Sequence, residues 1–195
     1  MDSTGNALVV GSTYSPGWVS GGFDPSFNGA RDGFVARITL VPTAEVLGRH
    51  VFYNDSAFEG DDPTANAEDD DAIAPDKTAL LPGQTATFAN YTSYSGGING
   101  IMVDINNLPD GVILDADDFQ FRTGNSNDLG TWTPVAVQPS VTVRRGDGTG
   151  GSARITLIWP DRVIQKEWLQ VTIPAGGQIG LAQPEVFYFG NAIGE

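Results

Sequence analysis

The chain contains no cysteine in 195 residues. Disulfide bonds, thiolate metal sites and cysteine nucleophiles are therefore excluded, although this absence does not by itself assign a compartment. Histidine occurs only once, as His50, in the apolar stretch HVFY. We therefore expect a structural role for His50 in the core or at a sheet edge, and neither a Ser-His-Asp triad nor histidine-based zinc chemistry.

Basic residues are scarce as well. The ten Lys and Arg residues face 24 Asp and Glu residues, which gives a formal net charge of −14. Because the basic residues are scattered, no cationic stripe offsets phosphate repulsion, and nucleic acid is not expected as a partner. No apolar run approaches the roughly 20 residues of a spanning helix, so membrane insertion is not expected either.

The composition indicates an extracellular or cell-surface location. Lysine occurs only as Lys77 and Lys166, while Gly, Thr and Asn are abundant and acidic residues are in large excess. This pattern is usual in secreted bacterial modules that meet millimolar calcium. No basic and apolar leader follows Met1, so we expect that any signal peptide has been removed or lies upstream.

Strand patterns recur along the whole chain, whereas no convincing helix is found. Alternating or β-branched runs are separated by clusters of Gly, Pro, Asn and Asp. These runs predict an all-β protein. Strands are predicted over Ala7–Thr13, Gly33–Val41, His50–Tyr53, Thr85–Ala89, Ile98–Ile105, Phe119–Arg122, Val135–Val143, Ala153–Trp159, Trp168–Ile173 and Glu185–Phe189.

Turn chemistry and alternation predict how these strands connect. The loop Arg144–Ser152 carries Asp-Gly between two alternating runs and is typical of a hairpin, and Pro109–Gly111 predicts another surface turn. Ile155 and Leu157 alternate with polar residues, as do Leu169 and Val171, which predicts paired half-buried strands of an antiparallel sandwich. The only helix-compatible window, Pro63–Ile73, allows one short turn.

Residues 1–42 resemble one unit of the bacterial seven-bladed propeller repeat. Asp2–Thr13 reads DSTGNALVVGST, which is similar to the D-x-x-G-N-x-x-V-x-G-x-T opening of such a blade, and Arg31–Ile38 reads RDGFVARI, which is similar to its closing D-x-F-V-A-K/R. One blade cannot bury both of its faces, since a propeller needs typically 4–8 blades. We expect a blade-like β appendage, which is either the last blade of a propeller or a strand pair docked on the next domain.

Residues 46–195 resemble an uncharacterised module of large secreted bacterial proteins that commonly precedes a dockerin-type tail. The resemblance is carried by Arg49–Phe58, Asp70–Ser95, Gly97–Ile105 and Phe187–Glu195. It implies a module of a larger surface or polysaccharide-associated protein, with other modules of the same polypeptide as partners. No D-x-N-x-D-G loop follows Asn191, so cohesin binding is not implied. With the strand pattern, we expect a jelly-roll or carbohydrate-module-like sandwich over residues 43–195.

The segment Asn54–Asp76 holds nine carboxylates and no Lys or Arg. So many like charges in a short segment repel one another, and the segment stays solvated unless a hard cation neutralises it. One hypothesis is a structural calcium site, because Ca²⁺ takes six to eight oxygen ligands in flexible geometry. The alternative is a solvated acidic loop. The predicted ligands are Asp61, Asp62, Asn66, Asp69, Asp70 and Asp76.

Aromatic and amide side chains form a second candidate site. Tyr91, Tyr94, Asn99 and Trp132 are predicted to bind a polysaccharide or cell-surface glycan, because aromatic faces stack on sugar rings and amides bind hydroxyl groups. Trp132 follows a polar loop and is expected to be exposed, whereas Trp159 and Trp168 are expected in the core. The alternative is that these residues are ordinary members of a hairpin loop.

Catalysis has little support in the sequence. A glycosidase would need two carboxylates, and Asp104 with Asp117 or Asp118 is the pair that the sequence offers, although their separation is a spatial quantity. We therefore expect a non-catalytic, calcium-stabilised extracellular module used for adhesion, carbohydrate attachment or spacing. The alternatives are a glycan-binding module with a defined sugar groove and, as the weaker one, a glycoside-active enzyme.

Overall fold

The computed structural model describes residues 7–15, 26, 29–38 and 42–193. The chain divides into two compact units, Met1–Pro42 and Thr43–Glu195. The structure is mostly β, with 39% of residues in strands, and its described residues include short 3-10 turns but no α-helix. The all-β prediction is therefore confirmed.

The first unit contains one antiparallel strand pair. Strand β1, Ala7–Thr13, pairs with β2, Asp32–Ile38, along its full length. Gly11 is required by close packing, since a Cβ atom there would lie 2.6 Å from the ring of Phe34. Leu8 and Val10 are exposed by 66% and 69%. This two-stranded sheet therefore leaves apolar side chains uncovered among its described residues.

The second unit contains two sheets. In the four-stranded sheet the strand order is β3-β5-β9-β8, and every pair is antiparallel. In the five-stranded sheet the order is β4-β11-β10-β6-β7, and only β4 and β11 run parallel. The strands are β3 (Glu45–Phe52), β4 (Tyr91–Thr92), β5 (Gly100–Asn106), β6 (Gln120–Gly124), β7 (Thr133–Pro134), β8 (Ser140–Arg145), β9 (Ala153–Ile158), β10 (Trp168–Ile173) and β11 (Glu185–Asn191).

Both sheets contribute to one hydrophobic core. Alternation along β10 buries Leu169, Val171 and Ile173, while Trp168 and Gln170 remain partly exposed on the other face. The members of this core from the strands are Val51, Ile101, Val103, Ile105, Phe121, Ala153, Ile155, Leu157, Leu169, Val171, Ile173, Phe187 and Phe189. Burial of these apolar surfaces is the main favourable contribution to folding.

The acidic segment covers the other face of the four-stranded sheet. A smaller apolar cluster joins Phe52, Met102 and Ile158 of the sheet to Ala72 of the segment. Tyr53 N donates to Ala72 O at 3.1 Å, which fixes the end of the segment against β3. Strands β5 and β9 are therefore buried on both faces, although an antiparallel sheet commonly leaves one face in water.

Several sequence-based element predictions are confirmed. Strands β1 and β10 have the predicted bounds, and the predicted hairpin loop Arg144–Ser152 joins β8 to β9. The helix-compatible window contains one 3-10 turn, Glu68–Ala72. The predicted strand Gly33–Val41 is described only as far as Ile38, and residues 39–41 lie outside the described part of the chain.

Other predictions are wrong for identifiable reasons. The predicted strand Thr85–Ala89 is absent because the Thr87 side chain accepts a hydrogen bond from Ala89 N and caps a 3-10 turn. The strand predicted from Val135 begins only at Ser140, after Pro139, which cannot donate to a ladder. Strand β3 begins at Glu45, earlier than predicted, and a bulge between Val46 and Gly48 interrupts its pattern.

The predicted pairing of the strands before and after Pro160 is also wrong. Strand β9 pairs with β5 and β8, whereas β10 pairs with β6 and β11, so the two strands belong to different sheets. Their apolar side chains meet in the shared core instead. Alternation identified the core-facing side chains of both strands but not their neighbours, and β9 is buried on both faces instead of being half-buried as predicted.

A cavity at Leu157 should destabilise the fold. Its side chain is fully buried in β9. We expect Leu157→Ala to lower the free energy of unfolding by about 2–5 kcal/mol, because it removes buried methyl groups and leaves a void. Urea unfolding followed by tryptophan fluorescence measures this loss.

Ile113→Ala is the matched control, because Ile113 is 83% exposed. It should change the free energy of unfolding by no more than about 0.5 kcal/mol. Equal effects of the two substitutions would contradict the assignment of the core.

Candidate functional site

A groove of about 530 Å³ lies on the outer face of the five-stranded sheet. Its aromatic lining consists of Trp132, Trp168 and Tyr188. The segment Leu80–Ala86 lines one part of it, and residues of the loop between β6 and β7 line another. The polar lining residues are Gln84, Thr85, Asn125, Ser126 and Asn127. The groove therefore combines aromatic rings with amide and hydroxyl groups.

Glycines make room for the rings on this sheet. Gly124, Trp168 and Gly190 are register partners in three adjacent strands. A Cβ atom on Gly124 would lie 2.7 Å from the Trp132 ring, and one on Gly190 would lie 3.0 Å from the Trp168 ring. Both indole rings therefore rest directly on the backbone of the sheet.

Hydrogen bonds hold the aromatic residues of the groove in place. Trp132 Nε1 donates to Ser126 O at 2.8 Å, and Arg122 Nη2 donates to Trp132 O at 2.6 Å. Gln170 Nε2 donates to the hydroxyl oxygen of Tyr188 at 3.0 Å. Because Trp132 and Tyr188 have fixed hydrogen-bond partners, these two rings are held in place without a ligand.

A row of aromatic rings leads away from Trp168. The ring of Tyr91 lies 6.4 Å from that of Trp168, and the ring of Phe88 lies 5.4 Å from that of Tyr91. Phe88 is 80% exposed. Trp132 and Tyr188 form an edge-to-face pair at 5.9 Å. The apolar surface therefore extends beyond the groove, towards the edge strand β4.

The four residues predicted to bind a glycan fall into two places. Trp132 lines the groove, and Tyr91 lies beside its Trp168. The fully buried Asn99 instead donates to Asn54 O at 2.8 Å and to Asp161 Oδ1 at 2.7 Å. Tyr94 packs against Tyr53 with the two rings tilted by 37° and their centroids 4.7 Å apart. The structure therefore brings Tyr91 and Trp132 together and leaves Tyr94 and Asn99 in a separate cluster.

The expected exposures of two tryptophans are wrong. Trp132 is only 7% exposed, because it lies flat over Gly124. Trp168, expected in the core, is half-buried on the outer face and lines the groove. Trp159 is buried in the core as expected. Alternation with Leu169 would have placed Trp168 on the outer face.

A second polar region lies on the outer face of the four-stranded sheet. Asp104, Arg154 and Arg144 are register partners in β5, β9 and β8. Arg154 donates to both carboxylate oxygens of Asp104, at 2.8 and 2.9 Å, and its Nη1 forms an ion pair with Asp70 Oδ2 at 2.8 Å. Arg144 forms an ion pair with Asp70 and another with Asp147. We call Asp104, Arg154, Arg144 and Asp70 the charge row.

The carboxylate of Asp104 is fully buried and fully hydrogen-bonded. Its Oδ2 accepts from Thr149 N at 2.9 Å and lies 3.3 Å from His50 Nε2. Burial by itself would raise the pKa of Asp104. Hydrogen bonds with Arg154 and, to a smaller extent, with His50 and Thr149 instead hold this pKa well below its usual range. Gly48 is needed beside it, since a Cβ atom there would lie 2.8 Å from Asp104 Oδ2.

The predicted metal ligands do not gather at one point. The two arginines of the charge row neutralise Asp70, and Lys77 Nζ lies 2.8 Å from Asp76 Oδ2, which lowers the pKa of Asp76. Asn66 Nδ2 donates to Asp62 Oδ2 at 2.9 Å. Asp61 is exposed. Across the described residues, no group of three or more His, Asp or Glu side chains is arranged to hold a metal ion.

Asp69 differs from the other predicted ligands, and it has a partner that sequence reasoning missed. Asp69 is 0% exposed and Glu59 is 6% exposed. Their carboxyl groups interact directly, and burial followed by this contact raises the pKa of Glu59 to about 7. Each keeps one buried oxygen, Asp69 Oδ1 and Glu59 Oε2, that accepts no hydrogen bond from the described protein groups.

The carboxylates considered for catalysis have other partners. All the hydrogen bonds of Asp104 described above go to its own cluster. Asp118 Oδ2 accepts from Asp115 N at 3.0 Å and thereby closes a 3-10 turn, while Asp117 is exposed. None of these three residues lines the groove. The groove is therefore separate from the carboxylates proposed as a catalytic pair.

The charge row predicts an acid-sensitive contribution to stability. Because the folded-state pKa of Asp104 is depressed, its stabilisation is present above the unfolded pKa of about 3.9 and is lost as the pH falls below it. We expect Asp104→Asn to cost about 3–5 kcal/mol at neutral pH, because Arg154 is left buried beside a neutral amide. Urea unfolding between neutral pH and the acid range measures both effects.

Asp117→Asn is the control for this experiment, because Asp117 is exposed. It should leave the free energy of unfolding nearly unchanged. A pH dependence that is the same in Asp104→Asn as in the unmodified chain would show that Asp104 is not the titrating group.

Comparisons of the chain with protein-family models, curated proteins and solved structures gave no match. No helix among the described residues is long and apolar enough to cross a membrane. Function is therefore argued from the geometry of the groove and of the acidic segment.

Proposed function

We propose that this protein is a non-catalytic, extracellular glycan-binding module of a larger secreted or cell-surface bacterial protein. The observation that carries the proposal is the groove, whose lining combines Trp132, Trp168 and Tyr188 with amide side chains. We further propose that the two sheets form an antiparallel sandwich of the jelly-roll or carbohydrate-module type, with the groove on one outer face.

The chemistry of the groove suits a sugar. The half-buried ring of Trp168 offers apolar area to the C–H groups of a sugar ring, while Asn125, Asn127 and Gln84 supply amides for its hydroxyls. Gln84 Oε1 accepts from Leu81 N at 3.0 Å, and its amide nitrogen makes no hydrogen bond within the described part of the chain. That nitrogen is therefore a candidate donor to a ligand hydroxyl.

The size and rigidity of the groove support the same proposal. About 530 Å³ lies within the roughly 300–1,000 Å³ of small-molecule sites. Trp132 and Trp168 rest on glycines, and Trp132 and Tyr188 are held by hydrogen bonds, so little side-chain entropy is lost on binding. The row that continues through Tyr91 to Phe88 offers further stacking surface for a chain of several sugars.

Charge favours a neutral glycan over an anionic one. The chain has a formal net charge of −14, and the groove lining contains no Lys or Arg among the residues that the structure describes. An anionic polysaccharide would therefore be repelled and find no cationic partner. A neutral polysaccharide is not repelled by the negative charge and needs no cationic partner.

The first unit supports membership of a larger polypeptide. It forms one strand pair, and Leu8, Val10 and Val35 are exposed by 66–69%. A blade in a propeller would cover such apolar side chains with neighbouring blades. We propose that other modules of the same polypeptide are partners of this unit.

The test is a glycan array followed by calorimetric titration with the best neutral glycan. We expect Trp168→Ala to weaken binding by roughly tenfold or more, because a stacked aromatic ring contributes about 0.5–1.5 kcal/mol beyond its buried area. Trp168 is half-buried on the outer face of the sheet, so the substituted protein should remain folded.

Tyr14→Ala is the matched control, since Tyr14 is 70% exposed and does not line the groove. It should bind with unchanged affinity. If no neutral glycan binds, or if Trp168→Ala binds as well as the unmodified chain, the groove is not a sugar site and a spacer role replaces it.

A further inference from the structure

The carboxyl groups of Glu59 and Asp69 face each other inside the acidic segment with no basic partner among the described residues. Both residues are more than nine-tenths buried. Ser56 N donates to Glu59 Oε1 and Asn66 N donates to Asp69 Oδ2, each at 3.0 Å. These bonds fix both side chains and use only one oxygen of each.

The remaining oxygens are buried without a donor. Glu59 Oε2 and Asp69 Oδ1 accept no hydrogen bond, and the same holds for Asn54 Oδ1 of the same segment, whose residue is only 4% exposed. An acceptor buried without a partner costs about 1–3 kcal/mol, and more when it is charged. The two facing carboxyl oxygens, Glu59 Oε2 and Asp69 Oδ1, therefore require either a proton or a cation.

We propose that Glu59 and Asp69 bind one calcium ion between their carboxylates. Carboxylate and amide oxygens are the ligands that Ca²⁺ prefers, and backbone carbonyls and water complete its shell of six to eight oxygens. This site goes beyond the proposed glycan-binding function, because neither Glu59 nor Asp69 lines the groove.

The local backbone brings these side chains inwards. Asp55 and Asp61 have positive φ angles of 54° and 57°, conformations that Asp adopts more readily than most residues. Glu59 N and Asp61 N both donate to Ser56 O, at 3.1 and 2.9 Å, which closes the loop around Glu59. Asp69 lies in the 3-10 turn that packs against β3.

Not every acidic residue of the segment is available to a metal ion, because some are already paired with basic side chains. Asp70 is held by Arg144 and Arg154, so its charge is already neutralised by the sheet. Glu59 and Asp69 have no such cation within the described residues, and a divalent ion would compensate both charges at once. The calcium site therefore differs from the ligand set predicted from sequence, of which only Asp69 is retained.

The first experiment is calorimetric melting of the chelator-treated full chain at neutral pH, with and without calcium chloride. We expect calcium to raise the melting temperature by roughly 3–6 °C at about ten times the dissociation constant. Titration calorimetry should give one ion per chain. No change in melting temperature would overturn the proposal and leave a shared proton as the explanation of the pair.

Substitutions then assign the ligands. Glu59→Gln and Asp69→Asn should each abolish the calcium-dependent rise. Asp61→Asn removes one negative charge from an exposed position of the same segment. This variant should keep the calcium-dependent rise in melting temperature. If Asp61→Asn abolishes the rise, or if Glu59→Gln retains it, the assignment of the ligands is wrong.

A probe of the unmodified chain keeps the test valid even if these variants do not fold. The pKa of Tyr94 is raised mainly by burial, then by the charges of Asp161 and Asp55, and also by the carboxylate of Glu59. Tyr94 therefore lies close to the proposed site. Terbium bound at the site should therefore emit on tyrosine excitation, and calcium should displace it. Absence of this emission, or emission that calcium does not displace, would contradict the site.

Trp168→Ala separates the two proposals. It should lose glycan binding while keeping the full calcium response. A calcium response without glycan binding by the unmodified chain would support the metal site and refute the proposed function, whereas the reverse pattern would refute only the metal site.

Discussion

The charge row across the four-stranded sheet is the interaction on which the acidic segment depends. Asp104 and Asp70 each form ion pairs with Arg154, and Arg144 pairs with Asp70 on its other side. Asp70 belongs to the acidic segment, while the other three residues belong to adjacent strands. One ion pair network therefore ties the most acidic part of the chain to the sheet.

This arrangement makes an otherwise repulsive segment part of the folded structure. The charge row fixes Asp70, and a small apolar cluster around Phe52 and Met102 fixes Ala72 next to it. The carboxyl groups of Glu59 and Asp69 in the same segment are buried. Burial of two facing carboxyl groups is costly, which is why we assign a cation to them.

The two sheets use their outer faces differently. The outer face of the four-stranded sheet is covered by the acidic segment, whereas that of the five-stranded sheet carries the groove. Gly124 and Gly190 allow two indole rings to rest on the sheet there. One face is thus covered by the chain itself, whereas the other carries a groove lined in part by aromatic rings.

Local patterns predicted much of the fold but little of its pairing. The alternation of Leu169, Val171 and Ile173 gave β10 its bounds, because apolar period-two patterns are local. The acidic composition of the segment was visible, but the pairing of Asp70 with Arg144 joins residues 74 positions apart. No local pattern encodes such a contact. Trp168 could have been placed by alternation, whereas the burial of Trp132 depended on Gly124 in a neighbouring strand.

The most direct test of the account is hydrogen exchange of the unmodified chain and of Asp70→Asn, followed by mass spectrometry. If the charge row holds the acidic segment on the sheet, amides of residues 54–74 will exchange faster in the variant, while those of β10 and β11 keep their protection. Unchanged exchange of residues 54–74 would contradict the account, because the segment would then be held without Asp70.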